Sequence, residues 1–334
     1  MTGDGTQQHT YTLGWIPYWN LFPLKAELAK RCQNYSIDYV SGHPTEVNAL
    51  LTQNRVIASP CSAVSLLLNP EFELALPLGV ASNGAVQSVY LGLMGEAAAV
   101  SELVRTRLAL VRDIVTDALE EHGEHPRRVA EMIWAELDQE PPNHQLDLIP
   151  KLKLSSNSAT GATLAKVFYR MIFGKQAYEH VMMGAGSSNG ASPASLELVI
   201  GDEALVRRGE FQKIFDLGQL WKLATQLPFV FAVWQRNGTE LPQSLAQQIM
   251  QAAEVAEAKM HVDPSAYFPA QHPLTQDGQP IDLSSYWRSL YYRLGDKEMQ
   301  SLMLFLCLSR SVLRLEKDDR VVVKMLRWQT SLSL

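Results

Sequence analysis

Cysteine is scarce in this 334-residue chain: there are three, Cys32, Cys61 and Cys307. None belongs to a C-x-x-C pair, and three cannot all pair within one chain. A disulfide scaffold is therefore excluded, and buried or free thiols of a reducing compartment are expected. Positive charge is not in excess either. Lysine and arginine total 29 against 35 aspartates and glutamates, a formal net charge of -6. A phosphate-neutralising face is not expected on such a chain, so nucleic acid is a poor partner. No apolar run approaches the ~18 residues of a membrane-spanning helix. The opening MTGDGTQQHTYTLGW lacks both the basic start and the apolar core of a secretory signal. A cytoplasmic location without membrane contact is the expectation. HExxH and P-loop motifs are missing. His122 and His125 in EEHGEH have no evident third ligand, so no metal site is expected.

What is present is a chain of 46% hydrophobic and 19% charged residues, ample for the cores of about two domains of roughly 100–200 residues each. Strand, turn and helix alternate at its start. Strands are predicted at Thr10–Ile16, Ser36–Val40 and Arg55–Ser59. Helices are predicted at Lys25–Gln33, at His43–Gln53 with Pro44 in its first turn, and within SPCSAVSLLLN. This alternation predicts α/β units with a largely parallel sheet. Ligands of such sheets bind at the carboxyl ends of the strands, where Asn20, Ser59 and Ser62 fall.

A long strand at Val86–Met94 precedes a helix at Glu96–Glu121. There Leu103, Val104, Leu108, Val111, Ile114, Val115 and Leu119 repeat at helical spacing. A second helix, His125–Gln139, should stop at Pro141-Pro142. A strand at Lys151–Leu154, a Ser/Thr-rich turn and a helix at Ala162–Phe173 follow. GAGSSNGASPAS (Gly184–Ser195) has the wrong glycine spacing for a dinucleotide loop and reads as a surface linker. Leu196–Leu205 is a strand running into a helix, and Leu227–Trp234 another apolar strand. Pro242–Met260, Ser284–Tyr291 and Asp296–Leu315 read as helices. Two long strands bracketing a middle region with its own strands and helices predict one α/β lobe inserted into another, with a ligand cleft between them.

GWIPYWNLFPL (Gly14–Leu24) sets two tryptophans, a tyrosine and two prolines around Asn20. Pro17 and Pro23 would each remove a donor from a core strand, and so many aromatics are out of place on an open loop. The stretch reads as one wall of the cleft, with Asn20 as its polar group, able to donate and accept at once. A loop tie or helix cap is the ordinary alternative for Asn20. Ser88, taken by itself, reads as an ordinary strand serine bonding a neighbouring backbone. In SSNSATG (Ser155–Gly161) the hydroxyls of Ser156, Ser158 and Thr160 adjoin a helix start, which suits a carboxylate, although capping needs only one of them. Ser82, Asn83 and Gly84 form a similar turn, as do Ser59 and Ser62 beside Pro60. Asp202 ends a buried strand and could orient a site group, but capping the helix after its strand explains it equally well, and it is left out of the catalytic set.

In order along the chain stand GWIPYWNLFPL, SGHPTEVNALL, VIASPCSAVSLLLNPE, GVASNGAVQSV, SSNSATGATLAK, LVIGDEAL, FDLGQLWKLATQLPFVFAVW and IDLSSYWRSLYYRLGDKEMQSLMLF. Together they resemble the chorismate dehydratase family of menaquinone biosynthesis by the futalosine route. The resemblance implies an α/β, two-lobed, periplasmic-binding-protein-like (type II) fold. Residues 1–92 plus 230–334 would form the first lobe with C-terminal helices, and 93–229 the second, with a helical insertion at about 95–150. It implies a hydro-lyase converting chorismate to 3-[(1-carboxyvinyl)oxy]benzoate. Aromatisation drives that reaction, so neither metal nor redox cofactor is required. Asn20 and Ser88 would be catalytic. Ser59, Ser62, Ser82, Asn83, Gly84, Ser156, Ser158 and Thr160 would bind the small anionic substrate.

Three departures stand out. Relatives have a short connection where the insertion lies, a proline where Ala85 stands, and often a serine where Gly161 stands. The apolar stripe of the insertion must pack on the second lobe or on a partner chain, which would make a homo-oligomer. A non-catalytic module binding a small carboxylate is the rival reading. A cyclic dehypoxanthinylfutalosine-type lyase ranks last, because the histidine its relatives carry in the SSNSATG turn is missing.

Overall fold

The computed structural model describes residues 10–33, 35–95, 98–139, 149–182 and 194–315. Pro141-Pro142 and most of the linker read at Gly184–Ser195 lie outside them. The chain begins with β1 (Thr10–Trp15), α1 (Phe22–Arg31), β2 (Ser36–Ser41), α2 (Pro44–Thr52), β3 (Ser59–Ser62), α3 (Ser65–Leu68), β4 (Phe72–Ser82) and β5 (Val89–Met94). It continues through α4 (Ala98–Val115), α5 (Pro126–Gln139), β6 (Lys151–Lys153), α6 (Ala159–Met182), β7 (Ser195–Ile200), α7 (Gly201–Val206), β8 (Lys213–Asp216) and α8 (Leu217–Thr225). It ends with β9 (Phe229–Asn237), α9 (Gln243–Val262), α10 (Leu283–Arg288), β10 (Tyr291–Arg293) and α11 (Asp296–Leu313).

Two sheets organise these elements. In the first, β1 pairs parallel with β2 and is bridged through Leu13 to Ala58 at the foot of β3. The ladder then runs β3-β9-β4-β10. The second sheet has the order β6-β7-β5-β8. Neither is largely parallel, which corrects the expectation from the alternation. β9 runs antiparallel to β3 and β4, and β5 antiparallel to β7 and β8. The reason lies in their origin. β5 and β9 are the strands that arrive from the other lobe, so each enters its sheet from the cleft side, against its neighbours.

Local chemistry sets most boundaries. Pro44 opens α2, and the Glu46 carboxylate accepts from His43 N at 2.7 Å in a capping box. Asp216 caps α8 by accepting from Gln219 N at 3.1 Å. The predicted strand at Arg55–Ser59 is displaced to Ser59–Ser62, and Val86–Met94 begins only at Val89. In the latter case the Asp216 carboxylate accepts from Val86 N (3.0 Å) and Gln87 N (2.7 Å), which withdraws both amides from any ladder. β4 was not anticipated. Pro77 interrupts its pattern, and the register indeed shifts between Leu74 and Gly79.

The helical insertion is covered within the chain: α4 packs on α8 and α5 on α11. Val104, Leu108, Val111, Ile133 and Leu137 are buried in this way. Arg170 of α6 holds the arrangement. Its guanidinium lies 4.1 Å from the Trp134 ring centroid, pairs with Asp138 at 2.9 Å and donates to Ser311 Oγ. The stripe on α4 that left a partner chain open is thus packed on α8, α5 and α6.

Candidate functional site

The two lobes face each other across a cleft of about 520 Å³, including the solvent at its mouth. Ile16, Tyr18, Asn20, Leu21, Pro44, Ser62, Phe231 and Ala232 line it from the first lobe. Ser158, Ile200 and Gly201 face them from the second, and Ser88 and Val89 lie where the chain crosses. Among the described residues the lining contains no lysine, arginine, histidine or carboxylate. Its polar groups are hydroxyls and one amide.

Asn20 sits in a single 3-10 turn, Trp19–Leu21, between β1 and α1. Its backbone is held on several sides. Trp287 Nε1 donates to Trp19 O at 2.8 Å, Tyr292 Oη donates to Asn20 O at 2.8 Å, and Trp19 N donates to Asp202 Oδ1 at 3.0 Å. Among the described residues, however, the buried Asn20 Oδ1 has no hydrogen-bond partner. Leaving such an acceptor unpaired costs about 1–3 kcal/mol. A side chain so firmly mounted and so poorly satisfied is suited to a donor brought by a ligand.

Ser88 stands on the other side of the crossing. Tyr286 Oη donates to Ser88 Oγ at 3.0 Å, and both residues are buried. Burial, foremost, pushes the Tyr286 phenol far above its ordinary range, so it remains protonated and a donor. With its oxygen already accepting, the Ser88 hydroxyl keeps its hydrogen to give into the cleft. Ser88 is therefore equipped as a donor and not as a base. Its backbone is fixed by the residue before it. Gln87 has φ 67°, a left-handed conformation that costs about 1–2 kcal/mol outside glycine. Asp216 holds its amide, and Arg208 donates to its carbonyl at 2.8 Å.

Ser158 caps α6, accepting from Gly161 N at 3.0 Å, and its hydrogen remains available to the cleft it lines. Ser62 closes β3 and lines the same space. The structure thus brings together four of the sequence candidates: Asn20, Ser62, Ser88 and Ser158.

The other candidates do not line the cleft. Ser59 is fully buried behind Gly14, where an added Cβ would lie 2.6 Å from Ser59 Oγ. Ser82 turns away to donate to Gly84 O at 2.9 Å. Asn83 is exposed, and Gly84 is buried near Gln219. Ser156 is exposed on its turn. Thr160 is buried and accepts from Val64 N at 3.1 Å, which ties the start of α6 to the first lobe. Gly161 leaves room beside Ser158 and Ile200, each about 3.2–3.3 Å from where its Cβ would stand.

Tyr286 escapes the sequence reading, and of the two roles open for Asp202 the cap is not made. Tyr286 lies 198 positions from Ser88, and nothing local signals the pairing. Asp202 is not the cap of α7. It reaches over to Trp19, and burial lifts its carboxyl to about 6 despite that hydrogen bond. A carboxylate directly after a buried strand end was the available signal.

Two α/β lobes, joined by crossing strands around a polar cleft, define a periplasmic-binding-protein-like protein. Solved structures share this fold. The alkanesulfonate-binding protein of Xanthomonas axonopodis pv. citri, bound to MOPS, is 11% identical, with a TM-score of 0.54 over 94% of this chain and 97% of that one. The periplasmic aliphatic sulphonate-binding protein of Escherichia coli is 8% identical, with a TM-score of 0.53 over 94% and 91%. A ligand-binding component of an ABC-type import system from Staphylococcus aureus, with zinc bound, is 12% identical, with a TM-score of 0.53 over 94% and 96%. No curated protein sequence matches the chain. The chain belongs to the menaquinone biosynthesis family, which matches residues 11–119 and 129–310. No helix among the described residues is long and apolar enough to cross a membrane.

Proposed function

We propose that the protein dehydrates chorismate to 3-[(1-carboxyvinyl)oxy]benzoate. The observation that carries this reading is the unpartnered Oδ1 of Asn20, a residue that lines a cleft whose other polar side chains are the hydroxyls of Tyr18, Ser62, Ser88 and Ser158. Membership of a menaquinone biosynthesis family supports it. So does the use of the same fold, in the sulfonate-binding structures, to hold small organic anions.

The reaction removes a ring proton and the ring hydroxyl of the neighbouring carbon, and the ring becomes aromatic. Asn20 Oδ1 accepts from the ring hydroxyl and fixes its direction. Ser88, braced by Tyr286, donates to that oxygen as it leaves with its electron pair. Ser62 and Ser158 donate to a carboxylate and hold the dianion in one pose. Neutral donors suffice in a cleft walled by Ile16, Leu21, Val89 and Phe231, because hydrogen bonds strengthen where water is excluded. No lining side chain is a base at neutral pH, so the proton goes to a carboxylate of the substrate itself.

The test is to incubate purified protein with chorismate and to follow, by chromatography and mass, a product lighter by one water. Asn20→Ala and Ser88→Ala are expected to lower turnover about 100-fold or more while both variants still fold cooperatively. A folded wild-type chain that binds chorismate and releases no such product would overturn the proposal. It would leave a carboxylate-binding module on this fold.

A further inference from the structure

We infer that Asp202 is a positioning residue, which sets the Asn20 turn across the cleft. The inference rests on the dehydratase reading for its effect on turnover, but not for its geometry. Asn20 and Ser88 belong to different parts of the chain, and their usefulness depends on how the lobes meet. The hydrogen bond from Trp19 N to Asp202 Oδ1, at 3.0 Å, joins the residue just before Asn20 to the second lobe. Every other bond described on this turn comes from the first lobe, from Tyr18, Trp287 and Tyr292.

The neighbouring residue is built for the same contact. Gly201 has φ 64°, and an added Cβ would stand 3.0 Å from the Tyr18 ring. Only glycine lets α7 approach the aromatic wall closely enough for the next side chain to reach Trp19 N. Gly201 N in turn donates to Ser88 O at 2.7 Å. One dipeptide, Gly201-Asp202, therefore touches the backbones on both sides of the cleft, at Ser88 and beside Asn20. A cap for α7 would not need this geometry, and no side-chain cap is made there.

A carboxylate is a strong acceptor for a backbone N–H, and its removal unpairs a partly buried donor. Asp202→Ala should raise amide hydrogen exchange at residues 18–21 while exchange in β4 and β9 stays as in the wild type. It should lower kcat for chorismate about tenfold or more, since small misplacements of a reacting group are costly. Asp202→Asn keeps an acceptor of the same reach and should restore both quantities to within about threefold. If the alanine chain does not fold, Asp202→Ser takes its place, with the asparagine variant as reference.

Unchanged exchange at 18–21 in the alanine variant would overturn the inference. So would raised exchange with unchanged kcat, or an asparagine variant as impaired as alanine. If the wild type itself turns over no chorismate, the dehydratase reading fails by itself. The exchange measurement then decides the clasp alone.

Discussion

Replacing Tyr286 by phenylalanine isolates the brace behind Ser88. The ring is fully buried and would keep its packing, so the change removes one oxygen and one hydrogen bond, the 3.0 Å contact to Ser88 Oγ. A neutral buried hydrogen bond contributes about 1 kcal/mol. For a chain of this size that is a fall in melting temperature of about 1–2 °C. The effect on rate should be larger than the effect on stability. Without Tyr286 the Ser88 hydroxyl can turn and use its oxygen elsewhere, so its hydrogen no longer points dependably at the leaving group. A fall in kcat of about tenfold is expected, smaller than for Ser88→Ala, because a misdirected donor still visits the productive direction. The Tyr286 phenol is held far above its ordinary range, first by burial, so the loss should be the same from pH 6 to pH 9. The decisive assay is the double variant. If Tyr286 acts through Ser88, adding Tyr286→Phe to Ser88→Ala should change kcat by less than about twofold. Two independent losses that multiply would refute the reasoning, as would a phenylalanine variant with full activity.

Two further outcomes concern stability. Burial alone would raise the Glu27 carboxyl, but hydrogen bonds from Lys259, Lys30 and Tyr267 outweigh it and bring it down to about 2. Its contribution should be complete above the ordinary pKa of 4.5 and vanish as the pH falls to about 2. Glu27→Gln should therefore destabilise by on the order of 2–3 kcal/mol at pH 7 and hardly at all at pH 2, as read by urea unfolding. Arg170→Met should lower stability by roughly 1–3 kcal/mol, because the half-buried Asp138 loses its partner. It should leave the KM for chorismate unchanged, since the bond lies far from the cleft lining; a shifted KM would show the insertion to be coupled to the site.

Most helices were legible because their signals are local. Pro44 with Glu46, the apolar rhythm from Leu103 to Val115, and Pro126 at the start of α5 each act within one or two turns. β4 was hidden by Pro77, whose missing donor is tolerated only because the ladder slips there. β8 has four residues, too few to show a period. Of the polar candidates, Asn20 and Ser88 were found through the motifs around them. Ser82 and Thr160 share the same kind of sequence surroundings but turn inward, because a strand or helix start can bury a hydroxyl that meets a backbone partner, and Ser59 is buried against Gly14. Tyr286 and Asp202 act over 198 and 183 positions respectively. No local pattern encodes such distances; they follow from the topology.

That topology also dictates an order of assembly on the ribosome. The strands of the second sheet all lie between residues 89 and 216 and can associate as soon as that stretch has emerged. The first sheet cannot. β3 and β4 are made early, yet β9, which separates them, begins only at Phe229, and β10 at Tyr291. Until then the apolar edges of β3 and β4 wait unpaired, the situation in which nascent chains stick to one another or call on a chaperone. The Asn20 turn waits longest, since Trp287 and Tyr292 are among its last supports to be synthesised. A fragment ending near residue 220 would carry every strand of the second sheet but neither β9 nor β10 nor the supports of the Asn20 turn, so such fragments should be inert.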